Sequence, residues 1–137
     1  MKYHNPKTTV AAIIIREQAG RQQVLLTLRA IEPYRHHWCL PGGHIDKDEP
    51  AREAIIREVK EEVGLDFEPQ FFRYFDEITG CSPHAIVLVF SGEASGELVS
   101  EPGEVTASQW FDIPEALKLD LAFGHKGILE AYSGATG

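Results

Sequence analysis

The chain has 137 residues, of which 43% are hydrophobic and 25% charged, as expected for a single compact domain spanning residues 1–137. Because 21 acidic residues outweigh 13 basic ones, the formal net charge is -8. This charge argues against a nucleic-acid coat or an anionic membrane surface as partner, since both need basic patches. A small anionic substrate stays compatible with it if divalent cations lie between substrate and protein.

In chain order, the sequence predicts mostly strands, with one long helix in the middle, a short helix after the last strand and a terminal helix. Two β-branched segments separated by a turn predict an antiparallel hairpin. The mixture indicates an α/β fold, with a mixed sheet covered by helices on both faces. The predicted strands are 8–16, 23–29, 38–40, 67–78, 84–94 and 108–113, and the predicted helices are 50–63, 114–119 and 124–132.

The ends of the long helix have recognisable signals. Pro50 suits the first helical position, Glu49 or Asp48 is expected to cap the helix, and Gly64 is expected to end it. On a helical wheel the apolar residues form one arc that should face the sheet. Its members are Ile55, Ile56, Val59 and Val63, and the small Ala51 and Ala54 are expected to leave space above a neighbouring acidic arc.

The acidic arc consists of Glu58, Glu61 and Glu62, whose i, i+3, i+4 spacing places three carboxylates on one face. Like charges at this spacing are mildly destabilising, and a bound Mg²⁺ or Mn²⁺ would turn the repulsion into attraction. A solvated acidic face is the alternative interpretation. The preceding Gly42-Gly43 favours the metal, because a backbone without side chains can approach a ligand closely.

Gly43 is followed after five residues by Glu49 and, after seven more, by the segment 57–65, REVKEEVGL. This pattern over residues 43–65 resembles the Nudix box of the MutT-like hydrolases, with every specified position filled. The resemblance extends over nearly the whole chain and implies the Nudix α/β/α sandwich with a mixed sheet. It also implies hydrolysis of a phosphoanhydride bond in a nucleoside diphosphate linked to another moiety.

By this resemblance, Glu58, Glu61 and Glu62 are the metal ligands, and Arg57 orients the acids of the box. Glu49 is expected to join the loop to the helix through Arg57, while Gly43 and Gly64 are expected to be structural. The catalytic residues implied are Glu58, Glu61, Arg57 and Glu104, with the identity of the general base left open among the three glutamates.

Outside the box, the expectations are less specific. Glu104, preferred over Glu101, is similar to a further metal-binding or base glutamate of the family, with a solvated loop acid as the alternative. Arg29 ends the second strand, where its planar fork suits a substrate phosphate, although an ordinary surface ion pair fits as well. The histidines are interpreted as surface or packing residues, and Trp110 as core.

Several functions are compatible with these residues. An ADP-ribose or nucleotide-sugar substrate is favoured, a (d)NTP pyrophosphatase that sanitises the nucleotide pool is the alternative, and a non-catalytic nucleotide sensor is a third possibility. An interaction module with an incidental acidic helix is a fourth. The expected partner is a small nucleotide, and the oligomeric state is left open between a monomer and a homodimer.

The cellular location is inferred from absences. The start of the chain lacks an apolar leader and no apolar run is long enough to span a bilayer, so a cytoplasmic location and no membrane partner are expected. Cys39 and Cys81 have no metal-binding spacing and are predicted to be reduced thiols.

Overall fold

A computed structural model of the chain describes residues 5–80, 83–99 and 105–136. Its strands are β1 (Lys7–Gln18), β2 (Arg21–Arg29), β3 (Trp38–Cys39), β4 (Gly42–His44), β5 (Asp66–Phe67), β6 (Gln70–Glu77), β7 (Ala85–Gly92), β8 (Ala94–Ser95) and β9 (Val105–Asp112). Its helices are α1 (Ala51–Val63), α2 (Ile113–Ala116) and α3 (His125–Thr136), the last preceded by a 3₁₀ turn at Ala122–Gly124. Within these residues no helix has the length and apolar character needed to cross a bilayer.

The main sheet is mixed, as predicted. Strands β3, β2, β1, β7 and β6 follow one another in hydrogen-bonded order, while β4 also pairs with β1 and β9 with β2. The predicted β1–β2 hairpin is confirmed, with Ile15 opposite Val24. Strand β1 runs parallel to β7, and β5 and β8 form a separate two-stranded sheet.

The sheet has an apolar core on each face because both sides of β1 are buried. Ala11 and Ile13 pack on one face with side chains of α2 and α3. Val10, Ala12 and Ile14 pack on the other with Ile55, Val59 and Val63 of α1. Since successive side chains of a strand point to opposite faces, this alternation produces the three layers of the predicted α/β/α sandwich.

The start of α1 differs from the prediction. The helix begins at Ala51, so that Pro50 lies at the N-cap position and no side chain caps the helix. The reason is that the carboxylate of Glu49 binds Arg57 instead of the free amides of the first turn. At the other end Gly64 terminates the helix, as predicted, with a left-handed φ of 75° that glycine adopts without steric cost.

The prediction that Ala51 and Ala54 leave space above the acidic arc is also wrong. Ala54 is fully buried and Ala51 packs against the same core cluster, so neither leaves open space above the acidic arc. Ile56 is only half-buried. The buried face of α1 therefore includes the two alanines and extends less far towards Ile56 than the wheel predicts.

Candidate active site

Arg57 lies at the centre of a hydrogen-bonded cluster on α1. Its Nε donates to Glu49 Oε2 over 2.8 Å and its Nη2 donates to Glu49 Oε1 over 3.0 Å. Its Nη1 donates to Glu58 Oε1 over 2.9 Å and to Glu61 Oε1 over 3.1 Å. Nη2 also donates to the carbonyl of His44 over 3.0 Å. The guanidinium therefore joins the loop before α1 to two acids of the helix.

The charges in this cluster stabilise one another. Hydrogen bonds from Arg57, and then from the backbone amide of Asp46, hold the pKa of Glu49 below its usual range. The hydrogen bond to Glu49 likewise raises the pKa of Arg57, with smaller contributions from Glu61 and Glu58. Glu49 and Arg57 therefore both stay ionised at neutral pH, and the bidentate pair fixes the orientation of the guanidinium.

Two glycines of β4 allow the acids of α1 to approach the backbone. The amide of Gly42 donates to Glu62 Oε2 over 2.9 Å. A Cβ atom at Gly43 would lie 2.5 Å from the Cδ of Glu58 and 2.6 and 2.7 Å from its carboxylate oxygens. At Gly42 a Cβ would collide with the carbonyl oxygen of Val10. Position 43 must therefore be glycine if Glu58 is to keep its position, whereas Gly42 is required by the close approach of β4 to the backbone of β1.

The three acids differ in exposure and in their partners. The side chain of Glu58 is 15% exposed and that of Glu61 is 58% exposed, while Glu62 is half-buried against β4. Among the residues that the structure describes, no group of three His, Cys, Asp or Glu side chains has the geometry of an assembled metal site. In this arrangement Arg57 binds Glu58 and Glu61, and the amide of Gly42 binds Glu62.

A cavity of about 340 Å³ is lined by Gly42, Gly43 and Glu62, and of the three acids of α1 only Glu62 reaches it. Another part is lined by Arg29 together with residues of the segment before α3. The Nε of Arg29 donates to the carbonyl of Pro33 over 2.7 Å, and its guanidinium lies 4.7 Å from the centre of the Phe123 ring. The cavity therefore brings Arg29 and the box glutamate Glu62 together, while Glu104 and Glu101 lie outside the described residues.

His125 is a candidate residue that sequence analysis missed. It lines the same cavity, is only 6% exposed, and its Nδ1 accepts a hydrogen bond from the amide of Leu40 over 3.0 Å. Burial, helped by the charge of Arg29, lowers the pKa of His125 to about 3. The sequence predicts only a surface or packing residue at this position, because no neighbouring residue in the chain indicates the hydrogen bond from Leu40.

Two other residues take structural roles. Trp110 packs against the core cluster beneath α1 and stacks with Arg16, whose Cζ lies 4.3 Å from the ring centre. Its prediction as a core residue is borne out in part, because Trp110 is half-buried at the edge of this cluster. Burial raises the pKa of Cys39 to about 11, so that this cavity-lining thiol stays protonated and is no nucleophile. Cys81 lies outside the described residues.

Comparison with known proteins identifies the family. The model of the NUDIX domain matches residues 6–132. The chain belongs to the NUDIX domain family. The predicted resemblance is therefore confirmed, and the box at residues 43–65 lies inside the matched region.

Similar proteins include enzymes and a regulator. The ADP-ribose pyrophosphatase of Methanocaldococcus jannaschii is 29% identical over 95% of this chain and 75% of its own length. The ADPR responsive transcriptional repressor NtrR of Acinetobacter baylyi is 28% identical over 93% of this chain. The crystal structure of a MutT NUDIX hydrolase from Burkholderia pseudomallei is 32% identical, covers 92% of this chain and 97% of its own, and superposes with a TM-score of 0.80.

These comparisons confirm the predicted fold, and the expected enzyme class agrees with the names of two of the three proteins. The relatives differ in length, however. The chain spans about half of the repressor and between 31% and 42% of several other curated relatives that it matches.

Proposed function

We propose that this Nudix chain hydrolyses a phosphoanhydride bond in a nucleoside diphosphate linked to another moiety. The observation that supports it best is the placement of Glu58 and Glu62 against the glycine backbone of β4, where Glu62, Gly42 and Gly43 line a cavity of about 340 Å³. A volume of this size suits a small organic ligand. A merely solvated acidic face would not need a glycine at position 43 to admit the carboxylate of Glu58.

The donor set fits a divalent cation, Mg²⁺ or Mn²⁺, held by Glu58, Glu61 and Glu62. Carboxylate oxygens are the ligands that such hard cations prefer, and the space that a Cβ of Gly43 would fill lies in front of the Glu58 carboxylate. When bound, the metal supplies neutralisation of the diphosphate and a water of lowered pKa. Glu61, being 58% exposed, can turn from Arg57 towards such an ion with little rearrangement.

The other residues of the box are assigned supporting roles. Arg57 is proposed to act as a positioning residue, because it binds Glu58 and Glu61 and is itself fixed by the bidentate bond to Glu49. Gly43 and Gly64 remain structural in this proposal. The general base stays open among Glu58, Glu61 and Glu104.

For the substrate, we propose an ADP-ribose or nucleotide-sugar type. Two of the similar proteins have names that refer to ADP-ribose, one as an enzyme and one as a repressor. Arg29 supports the choice, since its guanidinium lines the same cavity as Glu62 and, among the described residues, makes no ion pair with a carboxylate. It is therefore proposed to bind an oxygen of the diphosphate.

The test is turnover by the purified protein on ADP-ribose, nucleotide sugars and (d)NTPs, with Mg²⁺, Mn²⁺ or a chelator. We expect NMP plus a sugar phosphate as products, loss of activity with chelator, and a decrease in kcat of at least about a hundredfold for Glu61→Gln and Glu62→Gln. Glu53→Gln is the matched control, because Glu53 is an exposed acid of the same helix. Full turnover by both box variants would contradict the assignment.

Two alternatives have distinct signatures in the same assay. A (d)NTP pyrophosphatase would release NMP plus pyrophosphate. A non-catalytic sensor, which the similarity to the NtrR repressor favours, would bind ADP-ribose and gain thermal stability without product formation. An interaction module would show neither metal binding nor nucleotide binding.

A cytoplasmic location and a small-nucleotide partner, without membrane or nucleic-acid binding, complete the proposal. Cell fractionation tests the location. Analytical ultracentrifugation distinguishes the monomer from the homodimer.

A further inference from the structure

We propose that the part of the cavity lined by Arg29, Phe123 and His125 receives the nucleobase of the substrate, and that His125 Nε2–H donates to an acceptor atom on the edge of that base. This inference rests on the proposed function, because it assigns one half of the substrate to one part of the same cavity. Neither the box nor the diphosphate chemistry requires it.

The hydrogen bond from Leu40 fixes which nitrogen of the His125 ring carries the proton. A backbone amide can only donate, so the hydrogen bond from Leu40 N makes Nδ1 an acceptor. A neutral ring with an accepting Nδ1 must have its proton on Nε2. Burial lowers the pKa of His125 to about 3, so the ring stays neutral at any pH near 7.

The Nε2 proton of His125 has no protein partner among the described residues. Within residues 5–80, 83–99 and 105–136, no hydrogen bond from His125 Nε2 occurs, although the residue is 94% buried and lines the cavity. Among the described residues no buried side-chain nitrogen or oxygen lacks a hydrogen-bond partner, so the unbonded Nε2 is open to the cavity and not sealed in the core. A ligand atom in the cavity would satisfy it, and that atom must be an acceptor.

The cavity wall around His125 limits which part of a substrate can lie there. Leu40 and the Phe123 ring lie against His125, and Ile31 and Pro33 line the same cavity, as do the charged Arg29 and Glu32. The hydroxyl groups of a sugar would lose their hydrogen bonds to water against the apolar part of this wall. A nucleobase has two apolar faces and acceptor atoms only on its edge, so it matches one fixed donor in apolar surroundings.

The distance between the His125 ring and the Glu62 carboxylate is limited by the short segment that joins their backbone partners. Leu40 N binds His125 Nδ1 over 3.0 Å, and Gly42 N binds Glu62 Oε2 over 2.9 Å. Two residues of chain span at most about 7 Å, so the His125 ring and the Glu62 carboxylate are at most about 13 Å apart. This is the scale of a nucleoside joined to a diphosphate, which can therefore reach both groups.

The segment before His125 is held in one conformation. Phe123 has a left-handed φ of 60°, which costs free energy in a residue other than glycine. Its ring packs edge-on against Tyr34, with centroids 4.8 Å apart, and under the guanidinium of Arg29. Both contacts retain the loop in this shape and so keep His125 positioned before a ligand arrives.

Two variants of His125 separate ligand binding from folding. In His125→Asn the amide oxygen lies where Nδ1 does, so the bond from Leu40 is kept while the donor at Nε2 is lost. In His125→Gln the longer side chain places its amide near Nε2, so a donor is kept while the bond from Leu40 is lost. The Asn variant should therefore bind nucleobases more weakly, and the Gln variant should mainly unfold at lower temperature.

The measurement is calorimetric binding of AMP without metal, with ribose 5-phosphate as the probe that lacks a base. We expect His125→Asn to weaken AMP binding about tenfold and to leave ribose 5-phosphate binding unchanged. Analogues of AMP lacking one ring nitrogen then identify the acceptor, because the correct analogue should bind wild type and His125→Asn equally.

Equal AMP affinity in wild type and His125→Asn would overturn the inference, as would undetectable AMP binding by wild type. A loss confined to ribose 5-phosphate would overturn it too and would assign the sugar to this wall. Because binding is measured without turnover, the two proposals fail separately. If His125→Asn weakens AMP binding in a protein that hydrolyses nothing, only the proposed function is rejected.

Discussion

Replacing Gly43 by alanine tests the proposed site with the smallest possible change. The added Cβ would lie 2.5 to 2.7 Å from the Glu58 carboxylate, and ordinary contact begins at 3.4 Å, so the carboxylate must withdraw by about 0.7 to 0.9 Å. Gly43 has no left-handed φ, so alanine causes no backbone strain there. A displacement approaching 1 Å at a reacting centre can reduce the rate about a hundredfold.

The effect on stability should be much smaller than the effect on the rate. Withdrawal weakens the hydrogen bond from Arg57 to Glu58, and a bond to a charged group contributes about 1.5 kcal/mol at the low end of its range. That end applies because the Arg57 side chain is 28% exposed. Restricting the unfolded chain offsets about 0.5 kcal/mol, which leaves a net loss of about 1 kcal/mol, or roughly 4 °C in Tm for a domain of this size.

The assay is steady-state hydrolysis of ADP-ribose across a metal titration, with thermal unfolding in parallel. Gly127→Ala is the matched control, because nothing lies within 4 Å of a Cβ there. If Gly43→Ala kept kcat/KM within threefold of wild type at saturating metal, Glu58 would not need its observed position and the metal-site proposal would lose its support.

Three further predictions concern stability and reactivity. Gly127→Ala, at an exposed position in the first turn of α3, should stabilise the fold by about 0.4 to 1 kcal/mol in urea unfolding, because alanine restricts the unfolded chain, and a loss would contradict the open space at this position. Because the folded pKa of Glu49 is lowered, its stabilising effect is full above the unfolded pKa near 4.5 and is lost as the pH falls through the folded pKa. The urea midpoints of wild type and Glu49→Gln should therefore converge below pH 4.5, and a constant difference would refute the Arg57 pairing. With a pKa of about 11, Cys39 in a Cys81→Ser variant should resist a thiol reagent at pH 8 until the protein unfolds, and rapid labelling of the native protein would be the contrary result.

The sequence predicts those parts of the site that depend on spacing along one element. Glu58 and Glu62 share a face of α1 because a helix repeats every 3.6 residues, and the same rule predicts the buried Val59 and Val63. The ends of α1 were less predictable. Pro50 was placed inside the helix because no local rule reveals that Glu49 bonds to Arg57 instead of capping the helix.

Such rules do not predict contacts between segments that are far apart in the sequence. The strand β4 was missed, since its three residues become a strand only by pairing with β1. His125 was interpreted as packing because its partner, Leu40, is 85 residues earlier in the chain. Ala54 was misplaced by the wheel because small residues are buried wherever a helix lies closest to a sheet.

The central position of β1 also affects how the chain folds during synthesis. Strand β1 is synthesised before its parallel neighbour β7, which is complete only at Gly92, and β2 receives its partner β9 only at Asp112. Until then the hairpin of β1 and β2 exposes apolar side chains on both faces. Nascent chains that end before Gly92 are therefore expected to bind chaperones, and compaction should follow the synthesis of β7 and β9.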